Sequence, residues 1–362
     1  MAFVNRLKAL TGLNTVLVMM LLLIPVAIVA EIGQLGDILI FATSALGVVP
    51  LAGLIGTGTE ALAEKTGPRL GGLLNATLGN AAELIIALFA LSKGLTDLVL
   101  ASITGSILGN LLLVLGASLL LGGVKNGVQK FDRGHAGLDA TLLILSVIVL
   151  GVPSLFNFAI EPDFASVEAL SIGASIAILL IYGLAIVYSF TSRSHEGDPV
   201  RREAHAPTGW SARRALVVLG VAVVFIALLS EFLVGSVEHV TESLGLSEFF
   251  IGIILVPIVG NVAEHIVAVQ VAIKDKMDLS LTIAVGSSLQ VALFVAPVLV
   301  FASLLLGHPL KLEFSAFELA SVGAAALISA FISLDGESNW LEGAMLLVVY
   351  VILALAFFFF RG

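Results

Sequence analysis

Two glutamates lie inside apolar stretches, where a charged side chain is costly. Glu83 and Glu264 each fall within a stretch long enough to cross a lipid bilayer, and a charge at that depth costs about 2.5–3.5 kcal/mol on insertion scales. Asn80 and Asn261 precede them by three residues, a spacing that stacks an amide and a carboxyl on one helix face. Because two glutamates in the same local sequence context carry this cost, they indicate a function, such as binding a cation or a proton.

The apolar stretches that follow each glutamate add further oxygen atoms. These residues are Ser106 and Asn110 in the first half of the chain, and Ser287, Ser288 and Gln290 in the second. Pro257 precedes Glu264, and because proline has no N–H it frees a backbone carbonyl. Such hard oxygen ligands suit Ca²⁺, with Mn²⁺ as an alternative, and the absence of cysteine excludes a thiolate metal site.

Two carboxylates that face one cavity repel each other, so one divalent cation or two protons would neutralise them. Competition for Glu83 and Glu264 would couple a cation flux to an opposite proton flux, and we expect these two residues to hold cation or protons. We place His265 in the lining of the site. A proton role for its imidazole is open, because its pKa lies near neutrality, but the first half has Leu84 at the matching position.

The composition shows which elements must position these residues. The chain has 362 residues, 59% of them apolar and only 12% charged, with a mean hydropathy of +1.13. These values exclude an ordinary soluble domain and a disordered chain, and the net charge of −9 argues against nucleic-acid binding. We predict an all-α polytopic membrane protein, in which the first apolar run is a retained helix. The eleven predicted spans are 13–31, 35–56, 70–92, 96–122, 136–156, 166–190, 213–237, 249–273, 279–306, 314–333 and 340–360.

An internal repeat relates the two halves. Residues 79–114 align with residues 260–295 without a gap, and fifteen of the 36 aligned positions are identical. The polar identities include Lys93/Lys274 and Asp97/Asp278 besides the site residues. Upstream, residues 59–67 align with 237–245 and pair Glu60 with Glu238 and Glu64 with Glu242. These four acids lie at span ends, where they either form a solvated rim or attract cations at the two mouths.

The repeat predicts four parts of the chain. They are an extra helix in 1–34, a five-helix repeat in 35–190, a linker loop in 191–212 and a second five-helix repeat in 213–362. Because five is odd, the two repeats must cross the membrane in opposite directions. Inverted repeats with a site at their interface are typical of secondary transporters.

The distribution of basic residues predicts the orientation. If the N-terminus is cytoplasmic, the cytoplasmic segments hold 14 lysines and arginines and the other side holds three. This asymmetry favours a cytoplasmic N-terminus, a cytoplasmic linker and a C-terminus outside. The linker carries His195 and His205, which are weak evidence for sensing pH.

The motifs around both glutamates resemble a known family. GLLNATLGNAAELIIALFAL with GSILGNLLLVLG, and GNVAEHIVAVQVAIKDKMDLSL with VGSSLQVALFVAP, are similar to the two repeats of CAX-type cation/proton exchangers. The resemblance implies the eleven-helix fold of the cation/Ca²⁺ exchanger superfamily, with Glu83 and Glu264 as the shared cation and proton sites. It implies lining by Asn80, Asn261, Ser106, Ser287 and Gln290.

The resemblance also implies what the protein carries and where it works. The expected function is exchange of Ca²⁺, or Mn²⁺, for protons by alternating access, with no cofactor and no enzymatic activity. Many eukaryotic members have an acidic stretch between spans 6 and 7 and a long N-terminal extension, which this sequence does not show. We therefore expect a prokaryotic plasma membrane protein in the lipid bilayer, with a homo-oligomer left open.

Two other functions stay open at this point. Na⁺/Ca²⁺ exchangers of the same superfamily resemble one another in an acid directly after the Gly-Ser pair, where this chain has Ile107 and Ser288. The missing acids favour protons over several Na⁺ ions. A cation channel is the alternative from another class, although inverted halves with two titratable acids fit alternating access better.

Overall fold

A computed structural model describes residues 8, 11–159, 164–191 and 209–359. The linker histidines, His195 and His205, lie outside these residues. The described chain is almost entirely helical, and its only strands there are two short ones that pair with each other.

The helices follow the predicted apolar runs. The α-helices are α1 (Thr15–Met20), α2 (Leu23–Ile32), α3 (Asp37–Leu78), α4 (Ala81–Ser92), α5 (Thr96–Leu108), α6 (Leu115–Asn126), α7 (Arg133–Ala159), α8 (Phe164–Thr191), α9 (Ala212–Leu244), α10 (Glu248–Phe250), α11 (Val256–Ile273), α12 (Met277–Gln290), α13 (Ala296–Leu306), α14 (Ala316–Ile332) and α15 (Trp340–Phe359). Three π-helical segments join consecutive α-helices at Gly109–Val114, Ile251–Leu255 and Val291–Val295. Strand β1 (Gln129–Lys130) pairs antiparallel with β2 (Glu337–Ser338).

Nine helical runs within the described residues are long and apolar enough to cross a membrane. The run Thr96–Asn126 lies at the centre of the molecule, because 94% of its most apolar window is buried. In the runs Ala165–Tyr188 and Trp340–Phe359, only 17% of the most apolar window is buried, so these runs lie at the periphery. Apolar helices with such exposed faces require a lipid environment, and the chain is an integral membrane protein.

The other two predicted spans differ from the expectation. The span predicted at 70–92 is not one helix, because α3 ends at Leu78 and α4 begins at Ala81. A Cβ added to Gly71 would lie 2.8 Å from that of Ala63, although eight residues of a straight helix rise about 12 Å. Helix α3 therefore turns back sharply between these two residues. The span predicted at 314–333 contains the 17-residue helix α14.

Helix boundaries recur in the two halves at the spacing of the sequence repeat. Helices α4 and α11 end at matched positions, and α5 and α12 begin at matched positions. In the turn between them, the Leu95 N–H donates to the Ala90 carbonyl and the Lys276 N–H to the Val271 carbonyl, each at 3.0 Å. The π-helical segments Gly109–Val114 and Val291–Val295 also coincide. These matches support the repeat that the sequence predicts.

Residues 126–132, which follow α6, hold the turn between α11 and α12. Gln129 is 1% exposed, and its Nε2 donates to the Ala272 carbonyl and to Asp275 Oδ1, both at 2.9 Å. The Asp132 N–H donates to Asp278 Oδ1 at 2.5 Å. The backbone N–H of His135 holds the pKa of the exposed Asp132 carboxyl below its usual value.

The segment between α13 and α14 is non-helical, and its residues Leu310, Leu312 and Phe314 are buried. Its backbone at residues 310–314 is bound by the hydroxyl groups of Ser154, Ser171 and Ser303 at 2.7–3.0 Å. These serines come from α7, α8 and α13. Irregular backbone at membrane depth needs such partners, so the serines explain how this segment lies inside the protein.

Candidate cation-binding site

Glu83 lies at the centre of the site and is 4% exposed. Its Oε1 accepts hydrogen bonds from Asn261 Nδ2 and, at 3.0 Å, from Ser106 Oγ. Its Oε2 is buried without a hydrogen-bond partner in the described part of the chain. One oxygen is therefore held by two donors, one from each half of the chain, while the other is available to a ligand.

The local sequence explains how the Glu83 side chain reaches this position. The turn at Gly79–Asn80 separates α3 from α4, so Glu83 lies in the first turn of α4, where the helix dipole favours a negative charge. On the opposite helix α11, a Cβ added to Gly260 would lie 2.8 Å from Glu83 Cγ. Only glycine leaves room there for the carboxyl.

Asn80 does not pair with the glutamate of its own helix. Its Nδ2 donates to Gln290 Oε1 at 2.6 Å, which joins the start of α4 to the end of α12. Asn261, its repeat counterpart, crosses to Glu83 instead. The two predicted lining amides therefore connect the two halves of the chain.

Glu264 lies in α11 and is less enclosed than Glu83, with part of its surface exposed. Its carboxylate lies near the hydroxyl of Ser287, which forms no hydrogen bond of ordinary geometry. Its charge interacts with those of Glu83 and Glu60. The two predicted glutamates are therefore near enough to share one site, and Glu60 also lies near Glu264.

A close helix crossing brings Ser106 to Glu83. A Cβ on Gly105 would overlap the backbone carbonyl of Ile253, which belongs to the π-helical segment before α11. Pro257 lies four residues after Ile253 and has no N–H to donate to that carbonyl. The carbonyl that Pro257 cannot bind thus faces Gly105, and the role of Pro257 in lining the site stays a prediction.

Two predicted lining residues have other partners. The Ser288 hydroxyl donates to the Ala284 carbonyl of its own helix at 3.1 Å. His265 Nε2 lies 3.1 Å from Asn110 Oδ1, within the π-helical segment Gly109–Val114. His265 and Asn110 thus join α11 to the central span.

The four acids predicted at the two mouths of the ion path lie in different environments. Glu60 is partly exposed and interacts with Glu264, whereas Glu64, Glu238 and Glu242 are exposed. Glu238 lies near Glu248. Glu60 is therefore connected to the central glutamates through Glu264.

Sequence reasoning assigned no role to a second deeply buried glutamate. Glu318 in α14 is 4% exposed, accepts from Thr104 Oγ1 at 2.9 Å, and forms a capping box with Ser315. Its position three residues after a serine was the available signal. Thr104 lies two residues from Ser106, so Glu318 anchors the central span next to the site.

The side chains that could bind a cation at this site carry few charges and many neutral oxygen atoms. No group of three histidine, aspartate or glutamate side chains able to hold a metal occurs in the described ranges. Two carboxylates with amide and hydroxyl oxygens remain. Such a set is suited to a hard cation that binds and leaves, and its carboxylates can also take protons.

Comparison of the sequence with known protein families gives information that is independent of this geometry. The model of the family described as "Sodium/calcium exchanger protein" matches residues 36–191 and 214–359. The chain belongs to this family. The two matched segments of the exchanger family correspond closely to the two predicted repeats, and the gap between them falls in the linker.

Individual exchanger relatives are also similar. A "Ca(2+)/H(+) antiporter" of Aphanothece halophytica is 43% identical over 96% of this chain and 97% of that protein. The "Ca(2+)/H(+) antiporter ChaA" of Bacillus subtilis is 44% identical over 92% and 96%, respectively. The crystal structure of the selenium-substituted Ca²⁺/H⁺ antiporter protein YfkE has a TM-score of 0.84 at 41% identity, covering 96% of this chain and 100% of that one.

Proposed function

We propose that this protein exchanges Ca²⁺ for protons across a membrane by alternating access. The observation that carries the proposal is that Glu83 and Glu264, one from each half of the chain, share one site with amide and hydroxyl oxygens. The similarity to proteins named Ca²⁺/H⁺ antiporters supports it.

The geometry suggests how the two ions exclude each other. Asn261 and Ser106 hold Glu83 Oε1, so Oε2 is the atom that binds the cation or the proton. A calcium ion between Glu83 and Glu264 cancels their mutual repulsion, and two protons do the same. Because both ions need the same oxygens, the loaded forms are alternatives, and each crosses in its own direction.

Sodium coupling is the nearest alternative. Several Na⁺ ions require more carboxylate charge than this site offers, since Ile107 and Ser288 occupy the positions after the two Gly-Ser pairs. The Ser288 hydroxyl, moreover, is bound to its own helix. Proton coupling therefore fits the donor set better. A cation channel would use the same oxygens but would need no coupling.

We propose an architecture of eleven spans around this site. A five-helix repeat in 35–190 and an inverted one in 213–362 follow an extra helix in 1–34, and a cytoplasmic linker in 191–212 joins them. The matched turns and π-helical segments support the repeat. The basic residues favour a cytoplasmic N-terminus and a C-terminus outside in a prokaryotic plasma membrane.

Ion uptake into proteoliposomes tests the function. ⁴⁵Ca²⁺ uptake is measured with an imposed pH gradient or an imposed Na⁺ gradient, while valinomycin and K⁺ clamp the voltage. We expect uptake that follows the pH gradient and ignores Na⁺. Uptake that follows Na⁺ would establish the sodium exchanger, and uptake that needs neither gradient would establish a channel. Competition by Mn²⁺ in the same assay measures cation preference.

Substitution of the central glutamates tests the site. Glu83→Gln and Glu264→Gln remove the charge but keep the shape. Each should lower gradient-driven uptake at least 100-fold, because one carboxylate binds a divalent cation far more weakly than two and can exchange only one proton for it. Glu231→Gln is the matched control, since Glu231 lies on the exposed face of α9. Proton-driven uptake by either central variant at the control rate would refute the assignment.

A further inference from the structure

A small cavity adjoins Glu83. It is lined by Glu83, Ser102 and Ser106 among polar residues, and its apolar walls include Val291, Val295 and Leu299. It has room for about one water molecule. Calcium takes six to eight oxygen ligands in proteins, so the cavity in this conformation is too small and too apolar to pass the ion.

The lining residues show where the cavity leads. Ser102 lies one helical turn from Ser106, about 6 Å along α5, in the direction of the turn at residues 93–95. Ala87, also in the lining, is one turn beyond Glu83 in the same direction. Gly94 in that turn lies next to His308, which follows α13, and the wall residue Leu299 belongs to α13.

Glu264 has a different neighbour, because its charge interacts with that of Glu60, near the end of the apolar part of α3. The cavity beside Glu83 instead extends towards residues 93–95, and it is closed to Ca²⁺ in this conformation. Alternating access requires a second conformation in which the closed end opens.

Ser102 differs from three buried serines of α7 and α8 in its hydrogen bonding. Ser146, Ser171 and Ser175 each donate to the carbonyl four residues back. The Ser102 side chain makes no such bond within the described part of the chain, although it is only 7% exposed. Its hydroxyl lines the cavity and is free to bind a ligand there.

We propose that this cavity is the closed half of the ion path, and that Ser102 is the next cation ligand after Glu83 on that half. The inference rests on the proposed exchange of Ca²⁺ for protons. When α5 separates from Val295 and Leu299, the cavity widens and hydrated Ca²⁺ reaches the Ser102 hydroxyl between Glu83 and the solution. The ion steps from Glu83 and Ser106 to Ser102 and water.

Transport measured separately from each face of the membrane tests the role of Ser102 as a cation ligand. In right-side-out and everted vesicles, Ca²⁺ is presented from opposite faces, and the half-saturating concentration is measured for each. Ser102→Ala should raise it about three- to tenfold for the face that carries residues 93–95 and leave the other face unchanged, and Ser102→Thr should restore it. Ser118→Ala is the matched control, because Ser118 is buried in the same span, away from the cavity. An unchanged value at both faces, or an equal rise at both, would overturn the proposal.

Thiol labelling gives a second readout that does not require transport. The chain has no cysteine, so Ser102→Cys introduces a unique thiol. A small ammonium methanethiosulfonate should modify it from the face of residues 93–95 only, and Ca²⁺ should slow the reaction, whereas Ser118→Cys should stay unmodified. Failure of wild-type exchange would reject the proposed function alone. Normal exchange with no modification of the thiol at residue 102, or with modification from both faces, would reject the path alone.

Discussion

Glu83 and Glu264 occupy matched positions in the sequence but differ in their surroundings. Glu83 is enclosed and bound by two donors, while Glu264 is partly exposed and near Glu60. The two helices themselves differ, because α4 begins at Ala81, just before Glu83, whereas α11 begins at Val256 and continues through Glu264. The surroundings of the two carboxyls therefore cannot be equivalent in this conformation.

Gly260 provides a residue-scale test of how tightly Glu83 is positioned. In Gly260→Ala the new methyl group would lie 2.8 Å from Glu83 Cγ, and Asn261 and Ser106 prevent the carboxyl from moving freely. We expect at least a tenfold loss of proton-driven Ca²⁺ uptake, with about 1–3 kcal/mol lost in stability from overpacking.

Gly323→Ala in α14 is the control for this substitution. A methyl group there meets nothing within 4 Å, and alanine is the better helix former. Both variants are assayed for uptake at equal protein density in the vesicles. Full activity of Gly260→Ala would show that Glu83 has more freedom than the structure indicates.

At the scale of elements, hydropathy predicts the helices but not their irregularities. The free-energy cost of placing a charged side chain in lipid depends on that residue alone. Glu83 and Glu264 could therefore be identified from the sequence. The bond from Asn80 to Gln290 depends on how two distant helices cross, and no local pattern encodes it. Ser287 and Ser288 differ by about 100° around one helix, so sequence alone could not decide which of them approaches Glu264.

The break before Glu83 was only partly predictable. Glycine, which weakens a helix, directly precedes Asn80 and Asn261 in the sequence, and the structure has a turn at Gly79–Asn80. In the second half the same region remains helical, with a π-helical segment at Ile251–Leu255. The sharp bend of α3 depends on contacts between distant parts of the chain, and so do the bonds from serines to residues 310–314. The spacing of residues along the sequence does not predict such contacts.

The crossing of α5 with Ile251–Leu255 supports an element-scale prediction. Gly105 and Gly286 are repeat counterparts, yet a Cβ on Gly105 would overlap the Ile253 carbonyl while one on Gly286 meets nothing within 4 Å. Gly105→Ala must push the two spans apart, which displaces Ser106 from Glu83. We expect it to lower stability by more than about 1–3 kcal/mol, and Gly286→Ala to be tolerated.

Heating of the purified protein in detergent checks this pair. The fraction that stays monodisperse by size exclusion is measured against temperature, and Gly105→Ala should lose half of it well below the wild-type temperature. Equal behaviour of the two variants would mean that the crossing is wider than the structure shows.

At the scale of the whole molecule, the repeat makes a prediction about direction. Lys93 and Lys274 are repeat counterparts, and both are exposed at the ends of α4 and α11. The turns that contain them have the same backbone hydrogen bonds, from Lys93 N to the Ala90 carbonyl at 3.1 Å and from Lys274 N to the Val271 carbonyl at 3.0 Å. If the halves are inverted, these two equivalent turns must lie on opposite faces of the membrane.

Single thiols at the two turns decide the topology, since the chain has no cysteine of its own. A membrane-impermeant maleimide added to intact cells should label Lys93→Cys and spare Lys274→Cys, and everted vesicles should show the reverse. The basic residues predict this assignment, because 14 of the 17 lie on the side of Lys274. Labelling of both thiols from one face would refute the inverted repeat. Labelling from opposite faces with the sides exchanged would keep the inversion and reverse the orientation, which would place the cavity beside Glu83 on the cytoplasmic half of the path.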